Sequence, residues 1–358
     1  MSLEGNAPKN TPCCPRALMH LHLIHMPNIR IFTMSPRTSI IMPVYNTEKS
    51  VIRSIESVLK QTDSNFELII INDQSPDNSH TIIQNFIKEK DDNRIKYLIN
   101  EKNMGLAGTR NIGIEHASGE WLAYIDSDDA YKPHFLETMH NAVTKEVDVV
   151  VCSHETVSPD GSLQQRPAGQ PSTLTGHDAM LKLMNDHLTP FAWDKIFRKS
   201  TMEDLKFPIV NRTEDAGYSI PAFQRSRKVR IIEDSLHLYS VNPQSITWGS
   251  VPPIKEMYKF MKYLETITGA NDGNRSEKNA FSTSWSITFL NGAQAALRLQ
   301  PDNISEYLRE CQKALSPRII IRTWQARPLY AAAGTLLKIS PALYRALYGA
   351  YIKRTYGL

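Results

Sequence analysis

The chain has 358 residues, of which 41% are hydrophobic and 22% charged, so whole-chain disorder is excluded and one sizeable core with a smaller annex is affordable. Its formal net charge of +4 is too small to argue for a nucleic-acid partner without a concentrated basic patch. No apolar run reaches the roughly 18 residues that a membrane-crossing helix needs.

Residues 1–35 mix Pro, Asn, His and Met without a period and lack the basic start, apolar stretch and cleavage site of a signal peptide. They are expected to be a disordered extension or an over-called start, outside the core, with Met34 just before the first strand. Cys13, Cys14, Cys152 and Cys311 show no disulfide framework and read as reduced thiols of a cytoplasmic protein. Cys13, Cys14, His20, His22 and His25 cluster, but their spacing matches no zinc pattern.

From Ser39 onward, strands alternate with helices. Ser39–Val44 is an apolar run ended by Tyr45-Asn46, and Val51, Ile52, Ile55, Val58 and Leu59 then recur at helical spacing. Phe66–Ile71 predicts a second strand, followed by a helix carrying Ile82, Ile83, Phe86 and Ile87, and Ile95–Ile99 a third strand. A helix over Leu106–His116 leads to a fourth strand, Trp121–Ile125, which runs into Asp126-Ser127-Asp128-Asp129. This alternation argues for an α/β fold with a mostly parallel sheet flanked by helices, and its polar clusters follow the carboxyl ends of strands, where such sheets bind ligands. Val147–Cys152 predicts a further strand, Pro159–Thr175 a long loop and Asp178–Asn185 a helix; after Pro252-Pro253 the chain reads as helical.

The triplet Asp126-Ser127-Asp128 can hold a hard divalent cation, Mn2+ or Mg2+, against phosphate oxygens. Adjacent strand residues face opposite sides, so two acids one residue apart are expected to point the same way at the strand end. Alone, such a triplet more often forms a turn or a helix cap. Its place after a buried strand and three other strand-end clusters favours the metal.

The text from Ser39 to Asp129 resembles the family 2 glycosyltransferases. The matching stretches are Ser39-Ile40-Ile41-Met42-Pro43-Val44-Tyr45-Asn46, Ser57-Val58-Leu59-Lys60-Gln61-Thr62, Glu67 to Asp77, Asn103 to Gly113, and Gly119 to Asp129. The resemblance implies a GT-A, Rossmann-like fold over residues 36–250, with residues 251–358 as a helical C-terminal region, and inverting transfer from a nucleotide-sugar. It implies that Pro43 and Tyr45 line the base pocket, that Asp73 accepts from the base, and that Arg110 and Asn111 support the donor; the alternatives are Tyr45 as core and Arg110 as the partner of a neighbouring acid. Asp126 is then expected at the ribose or sugar, and Asp128 as the principal metal ligand. Asn72 stands where a first acid is commoner, which leaves that cluster less negative.

An inverting transfer needs a base for the acceptor hydroxyl. Glu214-Asp215 resembles the family's acidic pair, with Asp215 as the base, although acidic pairs also occur as solvated turns. Its flanks, Trp193 to Lys199 and Leu238 to Thr247, are similar to family segments as well. Lys195 is expected near the diphosphate or else solvated beside Asp194, and Trp193 is either acceptor wall or core. Ser240 replaces an Arg found in many relatives, which puts a second cationic clamp in doubt. The processive Gln-X-X-Arg-Trp signature does not occur, so single addition to a glycan or lipid-linked acceptor is favoured, by habit of the family from a UDP-sugar.

Beyond Glu310 the sequence contains no acid, while eight basic residues from Lys313 to Arg354 are scattered among Ile, Leu, Tyr, Trp and Ala. That pattern suits peripheral contact with an anionic membrane surface, as well as a solvated helical annex. Two rival functions are a sugar nucleotidyltransferase, which would open with a Gly-rich loop where this chain has Pro43-Val44-Tyr45-Asn46, and a catalytically silent nucleotide-sugar binding protein.

Overall fold

The computed structural model describes residues 36–210, 212–241 and 249–356, the last six of these by backbone only. The extension 1–35 with its Cys and His cluster, the stretch 242–247, and the side chains of Lys353 and Arg354 lie outside the described residues.

The chain begins β1 (Thr38–Val44), α1 (Val51–Leu59), β2 (Phe66–Asn72), α2 (Ser79–Lys90), β3 (Ile95–Ile99), α3 (Gly105–His116) and β4 (Trp121–Tyr124). These strands pair in parallel in the order β3-β2-β1-β4. Alternate residues of a strand face opposite sides. Ile40, Met42 and Val44 accordingly join one core with Val51, Ile55 and Val58 of α1, while Ile41, Ile69 and Ile71 join the other. On that second face α3 lies flat on the sheet. A side-chain carbon at Gly113 would stand 2.4 Å from Ile41 Cγ2, so only glycine permits the approach.

Next come β5 (Ala130–Tyr131), α4 (Phe135–Asn141), β6 (Val147–Val157), β7 (Leu163–Arg166), β8 (Ser172–Thr175), α5 (Gly176–Met184), β9 (Lys195–Arg198), α6 (Glu214–Arg225) and β10 (Lys228–Ser240). They extend the sheet beyond β4 in the order β9-β6-β10-β5, with β7 on β6 and β8 on β10, making a mixed sheet of ten strands. The pairs of β9 with β4 and β6 are antiparallel, whereas β10 runs parallel to β6. The expected loop Pro159–Thr175 therefore contains two strands. Their residues are largely exposed and polar, and they are held by pairing to neighbours rather than by burial. The helix expected from Asp178 starts at Gly176, because Thr175 Oγ1 accepts from the Asp178 amide at 3.1 Å and caps it.

The C-terminal helices are α7 (Ile254–Thr268), α8 (Arg275–Leu299), α9 (Ile304–Ala314), α10 (Pro317–Ala326), α11 (Pro328–Ile339) and α12 (Pro341–Tyr356). Each of the last three opens on proline, which fits a first helical turn and breaks the helix before it. The long α8 starts on a reciprocal capping box between Asn274 and Glu277. Its Phe281, Phe289, Leu290 and Ala293 join the core of Met184, Val149 and Ile231 on the second face of the sheet. One continuous core thus runs across position 250. No helix among the described residues is long and apolar enough to cross a membrane.

Candidate active site

The chain leaves β1 in one direction for β2 and β3, then returns to the other side of β1 for β4. Ligands settle in the crevice that opens at such a reversal, beyond the carboxyl ends of the strands. Pairing of β4 to β1 covers only Thr38 to Ile41, so the two part before Pro43, which has no amide to continue the ladder. Across the opening, Thr47 Oγ1 donates to Ser127 Oγ at 3.0 Å and Ser50 Oγ to the Ser127 carbonyl at 3.1 Å. The amino ends of the strands are closed instead: Glu67 accepts from Ser39 Oγ at 2.5 Å and from the Ser118 amide at 2.6 Å.

Arg110 of α3 organises the crevice. It is wholly buried, donates from Nη2 to Asp126 Oδ1 at 2.7 Å and from Nη1 to Asp215 Oδ1 at 2.5 Å, and lies over the Phe207 ring. Burial opposes its charge, but Asp215, Asp126 and Glu214 outweigh that and hold it protonated. Asp215 lies with Glu214 in the first turn of α6, where the positive end of the helix favours acids. Burial pushes the Asp215 carboxyl up against the pull of Arg110. Glu214 is more deeply enclosed, and burial followed by the charge of Asp215 drives it up to about 7. The pair is thus largely enclosed and is not a solvated turn.

The acids after β4 leave strand geometry. The Asp129 amide donates to the Asp126 carbonyl at 3.0 Å, making a tight turn, so the expected side-by-side projection of Asp126 and Asp128 from an extended strand does not hold. Asp126 turns one oxygen to Arg110 and keeps a quarter of its side chain exposed. Asp129 turns inward: it meets His237 Nε2 at 2.9 Å and accepts from the Ser240 amide at 2.8 Å. Burial raises Asp129 and lowers His237 to about 4. Asp128 bonds no other side chain among the described residues. Burial, then the charges of Asp129 and Asp126, push it up to about 7.

A divalent cation fits this donor set. Asp128 and the second oxygen of Asp126 are hard oxygens whose mutual repulsion a cation relieves. Among the described residues no group of three or more His, Cys, Asp or Glu forms a complete cage. Such a set suits an ion that also takes water and phosphate oxygens.

Other residues expected at the donor fall in three places. Tyr45 is about half exposed at the tip of β1, and Pro43 is buried behind it. Asp73 is buried, with Oδ1 accepting from Asn100 Nδ2 and the Met104 amide, both at 2.7 Å, and Oδ2 from the Gly105 amide at 2.8 Å. It thereby fixes the start of α3, where Gly105 takes φ +71°, and keeps spare acceptor capacity on Oδ2. Asn111 spends both ends of its amide on the Phe207 backbone, at 2.9 and 2.8 Å, and so anchors the segment before α6.

Lys195 is turned into the protein. It is wholly buried, and its ammonium is matched by Asp194 Oδ1 at 2.6 Å and the carbonyls of Phe191 at 2.5 Å and Thr189 at 2.9 Å. The expectation that it approaches the diphosphate is corrected: three hydrogens already have three acceptors inside the protein. Trp193 is core, stacked between Phe191 at 4.5 Å and His237 at 4.1 Å. Sequence reasoning passed over His237, Asn100 and Arg53, whose partners are far away in the chain. Arg53 of α1 reaches across the crevice to the Asp128 carbonyl at 2.5 Å and to Ser240 Oγ at 3.0 Å.

The half-parallel sheet, the switch-point crevice and its acids define a GT-A-like protein. The glycosyl transferase family 2 model matches residues 39–205. EpsH of Bacillus subtilis, a glycosyltransferase by name, is 34% identical over 219 residues, 59% of this chain and 63% of that protein, so the chain spans a little under two thirds of its length. The glycosyltransferase GlyG of Streptococcus pneumoniae is 30% identical over 224 residues, 60% of this chain and 73% of GlyG. The Escherichia coli protein WfgD, named a UDP-Glc:alpha-D-GlcNAc-diphosphoundecaprenol beta-1,3-glucosyltransferase, is 44% identical over 107 residues, 30% of this chain and 41% of its own. Among solved structures, S. aureus TarS with UDP-GlcNAc superposes with a TM-score of 0.64 over 89% of this chain and 92% of that one, at 19% identity. A Pyrobaculum calidifontis mannosyltransferase with GDP-Man and Mn2+ gives 0.53 over 90% and 89%, at 15% identity. The chain belongs to the family 2 glycosyltransferases.

Proposed function

We propose that the protein moves a sugar from a nucleotide-sugar, with UDP as the nucleotide, to a saccharide or lipid-linked acceptor, with inversion and one addition at a time, in the synthesis of a cell-surface glycan. The observation that carries this is Arg110 joining an acid at the tip of β4 to an acid at the start of α6, which puts a donor-side and an acceptor-side carboxylate on one guanidinium. UDP-GlcNAc in TarS and the UDP-Glc donor in the name of WfgD support the nucleotide, and the diphosphoundecaprenol acceptor of WfgD supports a lipid-linked one.

In this reading Tyr45 stacks on the base, beside buried Pro43, and Asp73 offers its spare Oδ2 capacity to a base N–H. Asp126 contacts the ribose or sugar, and Arg110 and Asn111 hold the two sides of the crevice in register. Asp215 takes the proton of the acceptor hydroxyl as that oxygen attacks the anomeric carbon opposite the diphosphate, and the C–O bond to the diphosphate breaks. Burial helps by raising the proton affinity of Asp215. Mn2+ or Mg2+, held by Asp128 with Asp126, would neutralise charge on the leaving diphosphate; Mn2+ with GDP-Man in the Pyrobaculum enzyme supports this. Residues 36–250 would carry donor and base, and residues 251–358 would form a helical region touching the inner face of the cytoplasmic membrane from a cytoplasmic protein. Support for that contact comes from the exposure of Ile321, Trp324, Leu329, Ile339, Leu343 and Leu347 in an acid-free stretch.

Against a nucleotidyltransferase stands the turn after β1, which has no glycine. A silent binding protein is separated by one variant: Asp215→Asn should abolish sugar transfer and leave UDP affinity within a few-fold. Transfer persisting in that variant at near the wild-type rate would refute the assignment of the base.

A further inference from the structure

Arg53 is a cation at the crevice to which the proposed function gives no role, although its charge opposes the rise of the Asp128 and Asp129 carboxyls. It sits on the exposed side of α1, and its Nη2 bridges the Asp128 carbonyl and Ser240 Oγ. A guanidinium has five N–H donors. The contacts made here engage Nη2 only, and Nε and Nη1 have no partner among the described residues. Nor does any carboxylate among the described residues lie within ion-pair distance of Arg53: Asp126 is taken by Arg110, and Asp129 is shared between His237 and the Ser240 amide.

We infer that Arg53 is a direct contact for the diphosphate of the donor, acting from α1 across the crevice as the cation that Ser240, being uncharged, does not supply. The inference rests on the nucleotide-sugar reading. Its geometry is simple. Arg53 is anchored to the carbonyl of Asp128, whose carboxyl would hold a metal, so its remaining N–H groups would be available to a diphosphate drawn to that carboxyl. Two anchors on a single nitrogen orient the planar fork and leave its other edge open. A planar fork on an open edge is the form in which Arg grips two phosphate oxygens. An Arg that served only to tie α1 to the turn would gain nothing from the three unused donors.

Other features of the molecule offer less. The buried Asp148, with Arg198 and Arg227, closes the amino ends of the strands and is saturated with partners. The buried Cys152 and Cys311 are each enclosed by apolar neighbours.

The test is titration calorimetry with MnCl2 present, using UDP and uridine as ligands on the intact protein and on Arg53→Gln and Arg53→Lys, with thermal melts to confirm folding. The expected result is a tenfold or greater loss of UDP affinity in Arg53→Gln, a smaller loss in Arg53→Lys, and uridine affinity changed less than twofold in both. UDP affinity within twofold of wild type in a folded Arg53→Gln overturns the inference alone. Equal loss for uridine and UDP also overturns it, since the residue would then merely brace the pocket. If the wild-type protein binds no nucleoside diphosphate, the donor reading falls and takes this inference with it.

Discussion

Arg110, sealed within α3, donates to Asp215 in the first turn of α6 at 2.5 Å, so the candidate base is held by the residue that also grips Asp126. Two consecutive elements and one a hundred residues further along meet on one planar group. Removing one member of a buried ion cluster leaves uncompensated charge, which costs about 3–5 kcal/mol. Arg110→Met is therefore expected to lower the free energy of unfolding by roughly that amount in urea titrations. A loss under about 1 kcal/mol would mean that the two acids are already neutral without it.

Glu214 titrates in a useful window. Its folded pKa is raised from 4.5 to about 7, so its protonated form stabilises the fold fully below 4.5, and that contribution is lost as pH climbs through 7. His140, His154 and His237, each lowered to about 4 by burial, act in the opposite sense, and so the comparison must be variant against wild type at each pH. Glu214→Gln should gain on wild type between pH 5 and pH 8 by on the order of 1–3 kcal/mol. A difference that stays constant with pH contradicts the buried, proton-holding role.

Asn111 clamps the backbone of Phe207 from both ends of its amide. Asn111→Ala should cost about 1–3 kcal/mol for the two stranded backbone groups. Because that segment leads into α6, kcat should fall more than UDP affinity. Equal UDP affinity together with an unchanged kcat would show that the clamp does not position Asp215.

The exposed apolar side chains of α10 to α12 give the membrane proposal a direct check. Trp324→Ser combined with Leu329→Ser should reduce co-sedimentation with vesicles containing anionic lipid and leave binding to neutral vesicles at its low level. Unchanged co-sedimentation would remove those helices as the contact.

Much of the parallel half was legible because β1, β2 and β4 are short, largely apolar and buried on both faces, as in Ser39–Val44 and Phe66–Ile71. Lys228–Ser240 was not. It becomes a strand only by pairing on both sides, and its register shifts between Ile231, Ser235 and His237 break the alternation that sequence reading depends on. At the site, Asp126 and Asp128 stood out by their spacing after a buried strand, whereas Asp73 and Asp215 stood out only by resemblance to the family. Their division of labour could not be read in either way, since it is set by Arg110, His237 and Arg53 arriving from distant elements. Lys195 shows the reverse failure: a cation beside an acid in sequence looks available, and only burial reveals that its hydrogens are spent.

The central claim is that this crevice transfers sugar from a nucleotide-sugar with the help of a cation at Asp128. The most direct measurement is release of the nucleoside diphosphate from a panel of UDP- and GDP-sugars, with a lipid-linked saccharide acceptor and either MnCl2 or chelator, for wild type and Asp128→Asn. The account predicts release from one UDP-sugar, lost with chelator and reduced at least about a hundredfold in the variant. Release that is equal with chelator, or equal in Asp128→Asn, would contradict it.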